Sequence, residues 1–493
     1  MASVKQLFGQ TGIYGLGTIL PRFLNYLLTP LYTYLFSNPA DYGINAELYA
    51  YISFFNVLFT YGMETAYFYF ANKHFNPQKI FNTIYSSIIL STFIFSFLLI
   101  LFSKDITQAL HYHTSIFVYW TIGILATDAL LSIPFAYLRQ QTKPLQFSIL
   151  KISNVILNIL FNLFFFLICK PEWEAGKESV WASLYKPEIG IGYSFLSNLL
   201  ANVTSIFLMF PVLRKFRFEI DFALWKDIIM YALPLVIVGL AGMINETFDR
   251  IVLKYLLPQD VAQAAQGIYG ACYKISILMT IFIQAYRYAA EPFFFKVFKD
   301  TDAKNVYAQS TDVFIAFGLF IWLVTVLNLP VLQYFIGPSY RVGLNVVPIL
   351  LTANLCLGIY FNLSFWYKLT GKTQYGAYLT LVGAVITLII NFMFVPRYSY
   401  LASAWATLAA YFTMMLLAYF LGQHYYKVNY PIKRILSNIF VVVILYVLSN
   451  VIFFQSTLLK IVFNNLLLLL FVLYLIKQYR ISINKKNIRK CVE

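Results

Sequence analysis

The chain has 493 residues, 60% of them hydrophobic and only 11% charged, and its 36 Lys and Arg against 20 Asp and Glu give a formal net charge of +16. Soluble domains carry about 25% charged residues, so this composition, with a mean hydropathy of +0.71, excludes a soluble globule and predicts an all-α polytopic membrane protein. The length alone would suggest about three soluble domains, but repeated apolar runs of roughly 20 residues make the membrane span the unit of organisation.

In chain order, runs bounded by charge or by Pro, Gly and Asn predict about 14 transmembrane helices. They fall near 8–36, 43–71, 80–102, 115–138, 146–169, 191–213, 227–256, 267–290, 309–329, 343–367, 374–395, 400–423, 434–453 and 457–476. The first run is too long for a signal-peptide core and lacks a small-residue cleavage pattern, so it is expected to stay as the first span. An even count puts both termini on one side. Loops on that side carry Lys73, Lys79, Arg139, Lys143, Arg214, Lys215, Arg217 and Lys226 among others, and the tail adds Lys485, Lys486, Arg489 and Lys490. The opposite loops hold Lys104, Lys170, Lys177, Lys186, Lys254, Arg341, Arg397 and Lys460. The positive-inside rule then predicts cytoplasmic termini. Basic loops that meet anionic lipid account for much of the net charge, and no nucleic-acid partner is required.

The expected organisation is a lobe of six helices over 1–213, a basic cytoplasmic linker over 214–226, a second six-helix lobe over 227–424, two further helices over 425–477 and a basic tail over 478–493. An internal repeat supports it. The stretch "YGINAELYAYISFFNVLFTYGMETAYFYF" from Tyr42 aligns without a gap on "YGACYKISILMTIFIQAYRYAAEPFFFKV" from Tyr269, matching Tyr42, Gly43, Phe55, Tyr61, Glu64 and Phe68 to Tyr269, Gly270, Phe282, Tyr288, Glu291 and Phe295. Both copies start outside, so the lobes form a parallel repeat related by a pseudo-two-fold along the membrane normal. The last two helices have no counterpart.

A charge at mid-span costs about 2.5 to 3.5 kcal/mol and faces a bundle interior or a wet cavity. Arg22 lies about 21 Å into the first helix and Asp128 near the middle of the fourth. The stretch "MINETFDRIVLKYLL" adds Glu246, Asp249 and Arg250. Glu246 meets Arg250 at i+4, which allows the two to neutralise one another, while Asp249 is left facing Lys274 at similar depth on the next helix. Glu64 and Glu291 fall near the inner interface, where Arg287 can pair Glu291 at i+4. The repeat also sets Glu47 against Lys274, so these two are expected as an outer gate, with Glu64, Glu291 and Arg287 at the inner one. Asn154, Asn158 and Asn162 make a stripe of period four, suited to interhelical hydrogen bonds or to substrate contact. Cys169, Cys272, Cys356 and Cys491 show no C-x-x-C spacing and read as structural. No nucleotide-binding loop, nucleophile motif or metal-ligand cluster occurs; no catalytic residue, metal or cofactor is expected, and the chain does not read as an enzyme.

The stretches "PRFLNYLLTPLYTYLFSNPADYG", "TYGMETAYFYF", "DALLSIPFAYLRQQTKPLQF", "FDRIVLKYLL", "AAEPFFF" and "GKTQYGAYLTLVGAVITLIINFMFVPRYSYLASAWATLAAY" resemble the lipid-linked oligosaccharide flippases, or polysaccharide export proteins, of the MOP superfamily, which also holds the MATE drug exporters. The resemblance implies a monomeric multi-pass transporter of the bacterial cytoplasmic (inner) membrane, moving an undecaprenyl-(di)phosphate-linked oligosaccharide from the cytoplasmic to the outer leaflet by alternating access, for cell-surface polysaccharide synthesis. It places Arg22, Asp128, Asp249, Arg250 and Lys274 at charged positions typical of the family. Arg22, Arg250 and Lys274 are then the groups suited to an anionic lipid phosphate, and Asp128, Glu246 and Asp249 those suited to a coupling cation, H+ or Na+. Tyr69 stands where the family motif carries Arg. The alternative is a MATE-type cation-coupled drug or metabolite exporter of the same fold.

Overall fold

Helix starts are written locally as a capping residue followed by Pro or by an apolar run. Asn38 accepts from Ala40 N ahead of Pro39, Asn76 accepts from Lys79 N ahead of Pro77, and Asp221 accepts from Leu224 N at 3.0 Å. Each side chain satisfies a main-chain N–H that a first helical turn leaves open. The computed structural model describes residues 15, 17–73, 76–297, 303–452, 454 and 456–490, with the side chains of 73, 289, 291–293, 295–297 and 481–490 outside that description.

The described chain is helical, without a strand. After a helical run over 17–26 come α1 (Leu28–Leu35), α2 (Pro39–Thr60), α3 (Met63–Lys73), α4 (Pro77–Leu101), α5 (Ile116–Gln140), α6 (Pro144–Leu163), α7 (Tyr193–Leu208), α8 (Phe222–Leu256), α9 (Gln259–Val297), α10 (Ala303–Leu327), α11 (Val346–Leu363), α12 (Gln374–Tyr398), α13 (Tyr400–Tyr425), α14 (Ile432–Val451) and α15 (Thr457–Lys490). Among the described residues, 12 helices are long and apolar enough to cross a membrane, and the protein is a multi-pass membrane protein. The first two expected spans are helical too, although 1–14 and 16 lie outside the described residues.

The second expected span, 43–71, is two helices. Tyr61 at φ 29° and Gly62 at φ 73° break it, and a Cβ on Gly62 would meet Ala232 O of α8 at 3.1 Å. Glycine is the residue that accepts both the left-handed backbone and the close neighbour. The Tyr-Gly echo has a packing cause as well. A Cβ on Gly43 would lie 2.0 Å from Gln263 O, and one on Gly267 would lie 1.9 Å from Pro39 O. The start of α2 and the second and third turns of α9 thus cross in backbone contact, with Tyr42 and Tyr269 buried beside the crossing.

The chain forms two compact units, Met1–Gly270 with Leu388–Tyr400, and Ala271–Thr387 with Leu401–Glu493. The first is packed around Phe59, Met63, Tyr67, Phe81, Ile124 and Phe195. In it the segment 216–221, expected as linker, is non-helical and lies along one polar face of α4: Gln78 donates to Lys215 O, Arg217 N to Asn82, Glu219 N to Ser86 and Asp221 N to Thr83. In the second unit Trp366 donates to Ala418 O within a core that includes Tyr367, Tyr411 and Met414. The final two helices are fastened to α10 by polar contacts. Arg434 of α14 donates to buried Asp312 at 3.0 Å, while Asn464 of α15 donates to Leu327 O at 2.6 Å and accepts from Ser449 at 2.7 Å. Inside lipid, helices associate through packing and such hydrogen bonds rather than by escaping water. Cys169, Cys272 and Cys356 are buried free thiols; Cys491 lies outside the described residues.

Candidate functional site

The first unit holds a continuous polar wall. Asp128 of α5 accepts from Asn202 Nδ2 of α7 at 2.8 Å, and the same amide donates to Thr127 at 3.1 Å. Asn202 in turn accepts from Asn154 of α6 at 2.9 Å, which also donates to Ser205. One turn further along α6, Asn158 donates to Asn25 at 3.1 Å. Asn162, another turn on, donates to Asn158 and accepts from Tyr32 of α1 at 2.7 Å. The Asn stripe therefore spends its amides on neighbouring helices, the first of the two uses open to it from sequence. Beside this wall Arg22 is exposed on the helical run 17–26.

Sequence reasoning passed over Lys151. It sits half-buried on α6, its ammonium 4.1 Å from the ring centroid of Phe135 and within electrostatic reach of Asp128, Arg139 and Arg22. The signal was there: a lysine inside an expected span. The result is two intramembrane cations, Arg22 and Lys151, against one acid, Asp128, which already accepts a hydrogen bond. That balance favours an anion on the open side of the wall.

A second group occupies the α8–α9 hairpin of the same unit. Asp249 is buried, accepts from Tyr269 Oη at 2.6 Å and from the Arg250 main-chain N–H at 2.8 Å. Gln266 holds the Arg250 carbonyl at 2.7 Å, and Arg250 lies within electrostatic reach of Asp249 and Tyr42. Glu246 is exposed, whereas Arg250 lies beside buried Asp249. Asp249 is satisfied by the repeat tyrosine Tyr269.

Glu47 is fully buried, and its partner is Lys254. The Lys254 ammonium reaches Oε1 at 2.8 Å, Oε2 at 3.0 Å and the Leu110 carbonyl at 2.6 Å, and lies 4.5 Å from the Tyr112 ring centroid. All three N–H bonds of the ammonium are used. Expected as a loop charge, Lys254 instead occupies the last turn of α8 with 7% of its side chain exposed. Lys274 is half-buried on α9 in the second unit.

At the other end of the first unit, Glu64 pairs with Arg139, whose guanidinium also lies 4.9 Å from the Phe68 ring. Tyr69, where the motif would carry Arg, stacks on Tyr231 with centroids 4.5 Å apart. In the second unit Arg287 lies 4.0 Å from the Phe361 ring, next to Tyr286, which donates to Asn362. The Glu291 side chain lies outside the described residues.

Comparison with known proteins bears on what this arrangement serves. The sequence pattern of the family described as polysaccharide biosynthesis protein matches residues 8–298. A capsular polysaccharide biosynthesis protein, CapF of Staphylococcus aureus, is 23% identical over 252 residues, 46% of this chain and 61% of that protein; the chain thus spans under two thirds of the length of that relative. Among solved structures, the lipid II flippase MurJ in an inward closed conformation superposes with a TM-score of 0.72 at 15% identity, covering 94% of this chain and 99% of MurJ. An inward-facing multidrug resistance MATE family transporter of the MOP superfamily gives 0.61 at 12% identity over 84% of this chain and 94% of its own. At such identities these two likenesses establish the fold.

Proposed function

We propose, from the premise that this chain belongs to the polysaccharide biosynthesis protein family of MOP-superfamily transporters, that it flips a lipid-linked oligosaccharide across the bacterial cytoplasmic membrane for cell-surface polysaccharide synthesis. The transported molecule is an undecaprenyl-(di)phosphate-linked glycan. It moves by alternating access through a monomer whose termini are cytoplasmic, without covalent catalysis. The single observation that carries this reading is that Arg22 and Lys151 stand together beside one acid, Asp128, which already accepts from Asn202, in an otherwise apolar bundle: fixed positive charge suits a lipid phosphate. A hydrophobic organic cation, the cargo of a drug exporter, would be repelled by the same two groups. Asp128 is proposed as the group through which H+ or Na+ couples to transport, with Asp249 and Glu246 as secondary acids and with Arg250 and Lys274 as further phosphate contacts.

The test is a deletion strain assayed for lipid-linked oligosaccharide. Loss of the protein should cause that intermediate to accumulate and surface polysaccharide to fall. The wild-type gene and Arg22→Lys should reverse both, and Arg22→Ala should not. Normal surface polysaccharide in the deletion strain, combined with new sensitivity to cationic drugs, would replace the proposal with drug export.

A further inference from the structure

One open groove in the first unit lies away from the polar wall. It has a volume of about 790 Å³ between α2, α4 and α8, and its walls are almost wholly apolar: Phe55, Leu90, Phe95 and Leu98 on one side, Ile229 and Leu233 on the other. Leu90, Leu98 and Leu233 are more than a third exposed, so the groove opens laterally, toward lipid. Its few polar groups are engaged with one another. Tyr61 Oη and Trp225 Nε1 both reach Ser87 Oγ at 2.8 Å, and Ser91 Oγ donates to Tyr61 Oη.

The groove has a length and a charged end. Its α8 lining runs from Phe222 to Val236, about 21 Å at 1.5 Å per residue, which matches one acyl chain and is far shorter than a long polyprenyl chain. At its floor is the segment docked along α4, which contributes Ile220. Lys226 stands one turn from Phe222 on the same face of α8, at this end of the groove. Four exposed cations belong to this stretch, Arg214, Lys215, Arg217 and Lys226, against two exposed acids, Glu219 and Asp227. Lys79 and Asp221 are closed on one another at 2.6 Å. An apolar channel of one-chain length that ends at an excess of positive charge is complementary to a lipid with a negatively charged head.

We infer that this groove binds one acyl chain of an anionic phospholipid, drawn from the leaflet on the side of the 214–226 segment, with the phosphate held by Arg217 and Lys226. The bound chain covers Trp225 and the α4 and α8 walls, and so helps to hold the segment joining α7 and α8 on α4. The site is separate from the proposed transport path and does not depend on it.

The experiment is native mass spectrometry of the purified full chain with dioleoylphosphatidylglycerol or dioleoylphosphatidylcholine, whose chains are identical. Wild type should retain the phosphatidylglycerol in preference by about thirtyfold, the size expected from two interfacial cations. Leu90→Trp/Leu98→Trp, which fills the groove, should retain neither lipid. Phe97→Trp, at a still more exposed position on α4 outside the groove, should behave as wild type. Arg217→Ala/Lys226→Ala leaves the groove open and should bring the two lipids to equal retention; it decides the matter alone if the filled variant does not fold. Equal retention of both lipids by wild type would overturn the inference. So would undiminished phosphatidylglycerol on the filled variant, an unchanged preference in the charge variant, or displacement of phosphatidylglycerol from wild type by a polyprenyl phosphate.

Discussion

Replacing Lys254 with Met removes the counter-charge of Glu47, a carboxylate with no exposed surface. At 2.8 Å and an effective dielectric of about 20, Coulomb's law gives roughly 6 kcal/mol of attraction, much of it offset by the cost of taking both ions out of water. The pair therefore adds little net stability, but stranding one member is expensive, about 3 to 5 kcal/mol. Lys254→Met also leaves the Leu110 carbonyl without its 2.6 Å donor, worth about another 1 kcal/mol. The assay is thermal melting of the purified protein, followed by the loss of its monodisperse elution peak. Lys254→Met and Glu47→Leu should each melt several degrees below wild type. The double variant Glu47→Leu/Lys254→Met should recover more than half of the deficit, because two apolar side chains leave no orphaned charge. A Lys254→Met protein that melts with wild type, or a double variant as poor as the sum of its singles, would refute the reasoning.

Three further outcomes are expected. Lys151→Ala should lower glycan export by about tenfold or more, the size of one lost charged hydrogen bond, with membrane levels near normal and with partial rescue by Lys151→Arg, scored as surface polysaccharide per unit of protein. Asp128→Asn keeps the acceptor for Asn202 but removes the titratable charge, so transport should lose its response to a collapsed ion or proton gradient; an unchanged response would assign Asp128 to helix packing. The Asp221 carboxyl is held below its ordinary value of 3.8 by hydrogen bonds from Lys79 and from the Leu224 N–H. A depressed value means that its hold on the 216–221 segment is complete above 3.8 and is lost as pH falls through the folded value. Hydrogen exchange at the Glu219 amide, which donates to Ser86, should accelerate over that range in wild type and be already fast at neutral pH in Asp221→Ala.

Helices and their order were legible because lipid allows the backbone only helices or closed barrels, and apolar runs of about 20 residues fit the helix. Apolar length then marks each span, and Asn38-Pro39 and Asn76-Pro77 mark two of the starts. The break at Tyr61-Gly62 was less visible, since its cause is the approach of Ala232 from a helix 170 positions along the chain. Site residues divided in the same way. Arg22, Asp128 and Asp249 were legible as charges in apolar runs. The partners of the two acids were not, because Asn202 and Tyr269 come from other helices, and a pairing such as Glu47 with Lys254, 207 residues apart, leaves no local pattern. The i+4 rule relates Glu246 to Arg250 along one helix face, but it does not show that Glu246 is exposed while Arg250 lies near buried Asp249.

Reconstitution addresses the central claim most directly. Purified protein is placed in liposomes with a fluorescent undecaprenyl-diphosphate oligosaccharide, and a membrane-impermeant reagent that destroys exposed glycan is added at intervals. The account predicts that the protected pool drains through wild type and not through Arg22→Ala/Lys151→Ala. A pool that stays protected with folded wild-type protein under every imposed ion gradient would contradict it.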